Sequence, residues 1–209
     1  MKPIFITGTG TQVGKTLVSA IITEALQADY WKPVQAGYED GTDSLTVQEL
    51  ISNNKSVIHP ELYRLALPAS PHISADRENT KIKIKKILSH IPKTKNQLVI
   101  EGAGGLLVPL NKNNFIADLI KKMKATVVIV SKNELGSINH SLLTAAVLKQ
   151  QKIKVAGWIF TENFMTYEQE IAAWSGYPVI ASVRHLPLIS KEIIKIEAEA
   201  MLPELQKFL

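Results

Sequence analysis

The chain has 209 residues, a formal charge of +5 and no cysteine. That length suits one sizeable α/β domain or two small ones, and the missing cysteine excludes disulfides, thiolate metal sites and cysteine nucleophiles. Hydrophobic residues at 45% and charged residues at 21% are the balance of a soluble globular protein, and no apolar run approaches the roughly 18 residues of a membrane span.

Met1-Lys2-Pro3 runs straight into Ile4-Phe5-Ile6-Thr7, a β-branched and apolar run that reads as a buried strand. No leader is expected before it, and the expectation is a cytoplasmic protein. Gly8 to Thr16 form a glycine-rich turn ending in Gly-Lys-Thr, and residues 17–26 carry apolar side chains at helical spacing. Tyr30 to Val34 reads as a second strand, with Pro33 at its edge or end. Residues 35–41 form a polar loop. Asp43 opens a helix over 44–50 with Thr42 as its N-cap. Residues 53–60 are a loop closed by Pro60, and 67–72 a proline-punctuated turn.

A lysine-rich helix is expected from about Thr80 to His90, ended by Pro92. Its cluster Lys81-Ile82-Lys83-Ile84-Lys85-Lys86 could be a polyanion site or a solvated helix face. No aromatic residue interleaves with the lysines, so the solvated face is favoured and no nucleic-acid partner is expected. Gln97 to Ile100 is a buried strand with Glu101 at its carboxyl end, and Gly102-Ala103-Gly104-Gly105 turns the chain. A helix over 114–122, a strand over 125–130, a helix to about Gln150, a strand over 155–160, a helix over 166–174, a strand over 179–183 and a helical tail from Ser190 follow. Strands alternating with helices predict an α/β fold, a single domain over 1–209 with one parallel sheet and helices on both faces. Ligands of such a sheet lie at the carboxyl ends of its strands, so the turns after Ile6, Val34, Ile100, Val130, Phe160 and Val183 matter most.

Strand, glycine-rich turn, Gly-Lys-Thr and helix together make a phosphate-binding loop. Glycines let backbone N–H groups face phosphate oxygens, and the helix N-terminus adds free N–H groups and a positive dipole end. Lys15 can reach the β- and γ-phosphates of a nucleotide, and the Thr16 hydroxyl can ligate Mg²⁺. The strict pattern has glycine at position 9; this chain has Thr9, with Gly8 one residue earlier. Glu101 at a strand's carboxyl end could face the metal or be a solvated turn charge. Asp43 could be a second ligand or a first-turn helix charge. Lys32 at the mouth of the sheet could neutralise a transferring phosphoryl group or be a surface lysine.

Residues 8–16 (Gly-Thr-x-Thr-x-Val-Gly-Lys-Thr), Lys-Pro-Val-Gln-x-Gly (32–37), Asp43, Ser-Pro-His (70–72), Glu-Gly-Ala-Gly-Gly (101–105) and Leu-Gly-Ser-Ile-Asn-His (135–140) together resemble the dethiobiotin synthetases. The similarity runs in that family's order through about Pro187. The resemblance implies a P-loop NTPase fold and an ATP- and Mg²⁺-dependent enzyme of biotin synthesis. One amine of 7,8-diaminononanoate takes up CO₂ as a carbamate, ATP phosphorylates it, and the second amine closes the ureido ring.

By that resemblance Thr16, Asp43 and Glu101 hold the metal, Lys15 and Lys32 neutralise the reacting anions, and Thr11 lies beside the diamine. Gln12, Val13, Gly14, Lys15, Thr16 and Leu17, with Asp43, Glu101, Gly102, Ala103 and Gly104, form the nucleotide site. Thr161, Ser182 and residues 175–177 are placed near the base. Ala36 and the turn Gly136-Ser137-Ile138-Asn139 contact the diamine, the turn coming from the partner of a homodimer. Ser137 could also be an ordinary N-cap.

The chain departs from the family at several positions. Gln12 replaces a frequent acidic residue and cannot serve as an acid or base. Ala36 lacks the family's frequent hydroxyl. Thr161 stands where an adenine-reading asparagine is usual, with Asn163 two residues on, and Ala181 and Arg184 stand where glycine and proline are more common. Relaxed base selection is therefore expected. Two other readings remain at this point: a regulatory or partitioning P-loop ATPase acting on a macromolecule, whose loop usually carries a lysine near position 10 where this chain has Gly10, and a nucleotide-binding module without catalysis.

Overall fold

The computed structural model describes residues 2–39, 41–162 and 164–209. Met1, Asp40 of the polar loop and Asn163, the residue considered above for reading the base, lie outside them. In chain order the first half comprises β1 (Ile4–Gly8), α1 (Lys15–Leu26), β2 (Asp29–Trp31), β3 (Val34–Ala36), α2 (Asp43–Leu50), β4 (Ile58–His59), β5 (Tyr63–Leu65), α3 (Pro71–Arg77) and α4 (Ile84–Ser89). There follow β6 (Leu98–Gly105), β7 (Pro109–Asn111), β8 (Asn114–Phe115), α5 (Ile116–Met123), β9 (Thr126–Lys132), α6 (Ser137–Gln150), β10 (Val155–Thr161), α7 (Glu168–Ser175), β11 (Val179–Val183) and α8 (Lys191–Phe208).

Seven strands form one sheet in the order β11-β10-β9-β1-β6-β2-β4, and every pairing in it is parallel. β1 lies at the centre, so the loop that leaves its carboxyl end sits over the middle of the sheet. The period of two along each strand divides the core. Ile4, Ile6, Tyr30, Val99, Val128 and Val130 face a layer with α1 and α8, while Phe5, Trp31, Ile100, Val127 and Ile129 face one with α5, α6 and α7. On α8 the buried residues Ile194, Ala198, Met201 and Leu205 recur at helical spacing and cover α1. Trp158 and Phe160 stack with centroids 5.7 Å apart, and the Trp158 indole donates to Ser175 Oγ at 2.9 Å.

Several sequence expectations are corrected. The strand expected over 30–34 ends at Trp31, because Pro33 has no N–H for a ladder. The chain resumes as β3 at Val34, running on through Gln35 and Ala36 of the segment expected as loop, and pairs with β5 outside the main sheet (Val34↔Tyr63). The turn expected over 67–72 gives way at Pro71, where α3 (Pro71–Arg77) begins with the proline in its first turn, its missing N–H costing nothing. The lysine-rich helix begins only at Ile84. Lys81 and Lys83 are exposed around the buried Ile82, which is the alternation of extended chain, not of helix. The glycine-rich 102–105 stretch continues β6. Gly8 pairs with Gly105, and a Cβ on Gly102 would lie 2.8 Å from the Phe5 ring. A short antiparallel hairpin, β7–β8, precedes α5 where the helix was expected from Asn114.

Candidate active site

Each part of the phosphate-binding loop has a physical reason. A Cβ on Gly8 would lie 2.6 Å from Val13 Cγ2 and 2.9 Å from the Gly10 carbonyl oxygen, so the close approach falls at position 8. Thr9 can keep its side chain, and its N–H donates to the Val130 carbonyl at 3.0 Å. Gly14 caps α1 at φ 86°, a conformation L side chains rarely adopt, and a Cβ there would also meet Thr161 Cγ2 at 2.9 Å. The Lys15 ammonium reaches back over the loop to the Gly10 carbonyl at 2.8 Å. Burial pushes its pKa down to about 8, with Glu101 pulling the other way.

Lys32 follows β2 directly and shares the face of Tyr30, two residues earlier. Its buried ammonium lies 2.5 Å from Asp43 Oδ2 and 2.8 Å from Glu101 Oε1. Burial works against that charge, but Glu101 and Asp43 outweigh it and hold the Lys32 pKa above its ordinary value. Burial would likewise raise the Asp43 carboxyl, yet Lys32, the Thr16 hydroxyl and Lys15 keep it below the usual carboxylate range. Thr16 Oγ1, at the first turn of α1, donates to Asp43 Oδ1 at 2.7 Å and lies 3.2 Å from Glu101 Oε1. Asp43 is fixed by Thr42, which accepts from Leu45 N–H at 3.3 Å as the α2 N-cap, and by Gln35 Oε1, which accepts the Asp43 N–H at 3.3 Å.

The expected metal ligands therefore meet: one hydroxyl and two carboxylates, all hard oxygen donors of the kind Mg²⁺ takes. Among the described residues no group of three or more histidine, aspartate or glutamate side chains is arranged to hold a metal ion. Two ammonium groups and two carboxylates sum to no net charge at the mouth of the sheet.

A cavity of about 790 Å³ opens beside this cluster. Thr11, Gln12, Gly14, Lys15, Thr16, Leu17, Lys32, Ala36, Asp43, Glu101, Ala103 and Gly104 line it, which brings together most of the residues expected from sequence. Val13 and Gly102 are buried behind it. Thr161 lies behind the loop too: it is buried, and its hydroxyl donates to the Val13 carbonyl at 3.0 Å. Ser182 is exposed on β11. The 136–139 turn does not line the cavity of its own chain. Ser137 is not the N-cap of α6; that residue is Gly136 at φ 91°. The Ser137 hydroxyl lies 2.6 Å from Tyr167 Oη, and its N–H donates to the Glu134 carbonyl at 3.1 Å.

Sequence reasoning missed Tyr30, whose hydroxyl donates to Glu101 Oε2 at 2.9 Å, and the bracing role of Gln35. The alternation Tyr30–Lys32 on one strand face was the available signal for the first. Ser70, noted only within a motif, also lines the cavity.

A family model described as an AAA domain matches residues 2–193. The chain is 49% identical over 196 residues to the ATP-dependent dethiobiotin synthetase BioD of Cytophaga hutchinsonii, covering 93% of this chain and 94% of that protein. It is 46% identical to the BioD of Christiangramia forsetii, with 95% of each covered. Among solved structures it resembles the MinC:MinD cell division protein complex of Aquifex aeolicus (TM-score 0.61, 14% identity, 99% of this chain and 95% of that one). It also resembles the cell division ATPase MinD of Pyrococcus furiosus (TM-score 0.60, 12% identity, all of both chains). At such identities the likeness is one of fold alone.

Proposed function

The chain belongs to the ATP-dependent dethiobiotin synthetase family, and from that premise we propose how its residues divide the work of the reaction. It is an ATP-dependent ligase of biotin biosynthesis. The substrates we assign are 7,8-diaminononanoate, CO₂ and ATP. The diamine carbamate is phosphorylated on oxygen, and attack by the second amine then closes the ureido ring and releases phosphate. The problem such a site must solve is the meeting of two anions, carbamate and γ-phosphate.

The observation that carries this reading is Lys32 held between Asp43 and Glu101, beside Thr16. An ammonium has three N–H donors. Two are taken by the carboxylates, and the third remains for the transferring phosphoryl group and the carbamate oxygen. Because the carboxylates fix it in place, Lys32 needs no reorganisation as charge shifts in the transition state. Lys15 binds the phosphates in ground and transition states alike, exchanging its contact with Gly10 for phosphate oxygens. Thr11 forms the wall beside the diamine. Thr16, Asp43 and Glu101 would hold Mg²⁺, which supplies positive charge to the phosphate oxygens.

We place the second half of the substrate site on a partner subunit of a homodimer. Leu135 is 93% exposed next to the 136–139 turn, an apolar side chain that a partner would cover. Ser137 spends both its N–H and its hydroxyl within the chain, so the N–H groups of Ile138 and Asn139, at the start of α6, take the substrate carboxylate. The reading as a partitioning ATPase shares the fold but leaves the paired carboxylates around Lys32 without a task. ADP release measured with and without diaminononanoate plus bicarbonate tests the assignment. Release that depends on both supports it; release stimulated only by DNA or a protein partner overturns it.

A further inference from the structure

Glu101 has two carboxylate oxygens in different surroundings. Oε1 faces the site, 2.8 Å from Lys32 Nζ and 3.2 Å from Thr16 Oγ1. Oε2 faces away and accepts the Tyr30 hydroxyl at 2.9 Å. Tyr30 has no exposed surface, and its ring packs in the layer shared with Val99 on β6 and Val18 on α1. The parallel pairing of β2 with β6 matches Tyr30 to Val99, and Glu101 stands two residues further along β6 on the same face. The phenol therefore reaches forward along the sheet to a carboxylate whose own strand fixes its Cα.

We propose that Tyr30 is a positioning residue for phosphoryl transfer: its hydroxyl holds Glu101 Oε2, so that only Oε1 is presented to Lys32, Thr16 and the metal–phosphate site. This rests on the assignment of Glu101 to that site. Without the hydroxyl, Oε2 is left buried and unpaired, and the carboxylate gains by turning both oxygens toward Lys32. A carboxylate bound that way holds the ammonium back from the phosphoryl group and offers a poorer oxygen to Mg²⁺. Hydrogen-bond partners that orient a metal-binding side chain typically matter by 10- to 100-fold.

The test uses Tyr30→Phe, which removes one oxygen from a buried ring, with Glu101→Gln and the double variant. Two quantities are read. The first is kcat and KM at saturating Mg²⁺; the second is the Mg²⁺ concentration that half-saturates binding of a non-hydrolysable ATP analogue by calorimetry. Tyr30→Phe should lower kcat about tenfold and raise the Mg²⁺ midpoint several-fold, with KM for diaminononanoate unchanged. The double variant should be no worse than Glu101→Gln alone, because the hydroxyl acts only through that carboxylate. A merely structural tyrosine would lower the melting temperature and add its effect to that of Glu101→Gln. Additive losses, or unchanged kcat and Mg²⁺ midpoint in Tyr30→Phe, overturn the proposal while leaving Glu101 in the site. A Glu101→Gln enzyme with full activity and an unchanged Mg²⁺ midpoint overturns both.

Discussion

Replacing Lys32 by methionine keeps the length of the side chain and removes the charge that separates Asp43 from Glu101. Taking one partner from a buried ion pair costs about 3–5 kcal/mol, since the remaining charge is left uncompensated. Glu101, 1% exposed, bears that penalty in full, whereas the Asp43 side chain is 30% exposed and partly relieved by water. The lower end, about 3 kcal/mol, is the better figure. At about 2–4 °C per kcal/mol for a chain of this size, the melting temperature should fall by about 6–12 °C. Loss of one fixed transition-state charge should lower kcat by about a hundredfold or more. Glu101→Gln added to Lys32→Met removes the unpaired charge, so it should recover most of the stability and none of the rate. The pH dependence has a definite sign. Despite its burial, Asp43 sits below its ordinary value because of Lys32, so its stabilisation is present above the unfolded value and lost as pH falls through the folded one. Lys32→Met lacks that term, and the gap in melting temperature between the two proteins should close as pH drops below about 4. Thermal scans in metal-free buffer and initial rates at saturating substrates are the measurements. A variant that melts within about 2 °C of the parent, or a double variant that regains kcat, would refute the pairing and the catalytic role respectively.

Three further outcomes are expected. Bound phosphates favour the charged form of Lys15, whose pKa in the free protein is about 8, so nucleotide binding should take up a proton above that pH and weaken by up to about tenfold per pH unit. Calorimetry in buffers of different ionisation enthalpy reads this, and a pH-independent affinity in Lys15's titration range would remove its phosphate contact. Mixing inactive Lys15→Ala chains with inactive Gly136→Asp chains should restore part of the activity, since each mixed dimer has one site with both parts intact; no rescue after demonstrated chain exchange would put the whole site within one chain. Because the Thr161 hydroxyl is given to the Val13 carbonyl, base selection should be weak, with kcat/KM for CTP or GTP within about a hundredfold of ATP. A preference of several thousandfold would mean that another residue reads the base.

The amino-acid sequence determined the phosphate-binding loop, the alternation of strands and helices, and the identity of Lys15, Thr16, Lys32, Asp43 and Glu101 as candidates. These are local matters. A glycine-rich turn between an apolar run and an amphipathic helix, or an N-cap such as Thr42, is set by neighbours in the chain. Where pairing across the sheet decides, local pattern misled. The 102–105 glycines are turn residues by composition, but they form strand because Phe5 and Gly8 of β1 lie against them. Gln35 and Ala36 look like loop until β5 arrives from nearly thirty residues on to pair with them. Asp43, Glu101 and Lys32, each readable as an ordinary charge in the sequence, come together only where α2, β6 and the end of β2 converge. Tyr30 joined them unnoticed, because a tyrosine in a strand is core by default and becomes a hydrogen-bond donor to a carboxylate only through a contact spanning 71 residues of chain. The energy of a buried charge depends on what surrounds it in space, and spacing along the chain does not contain that information.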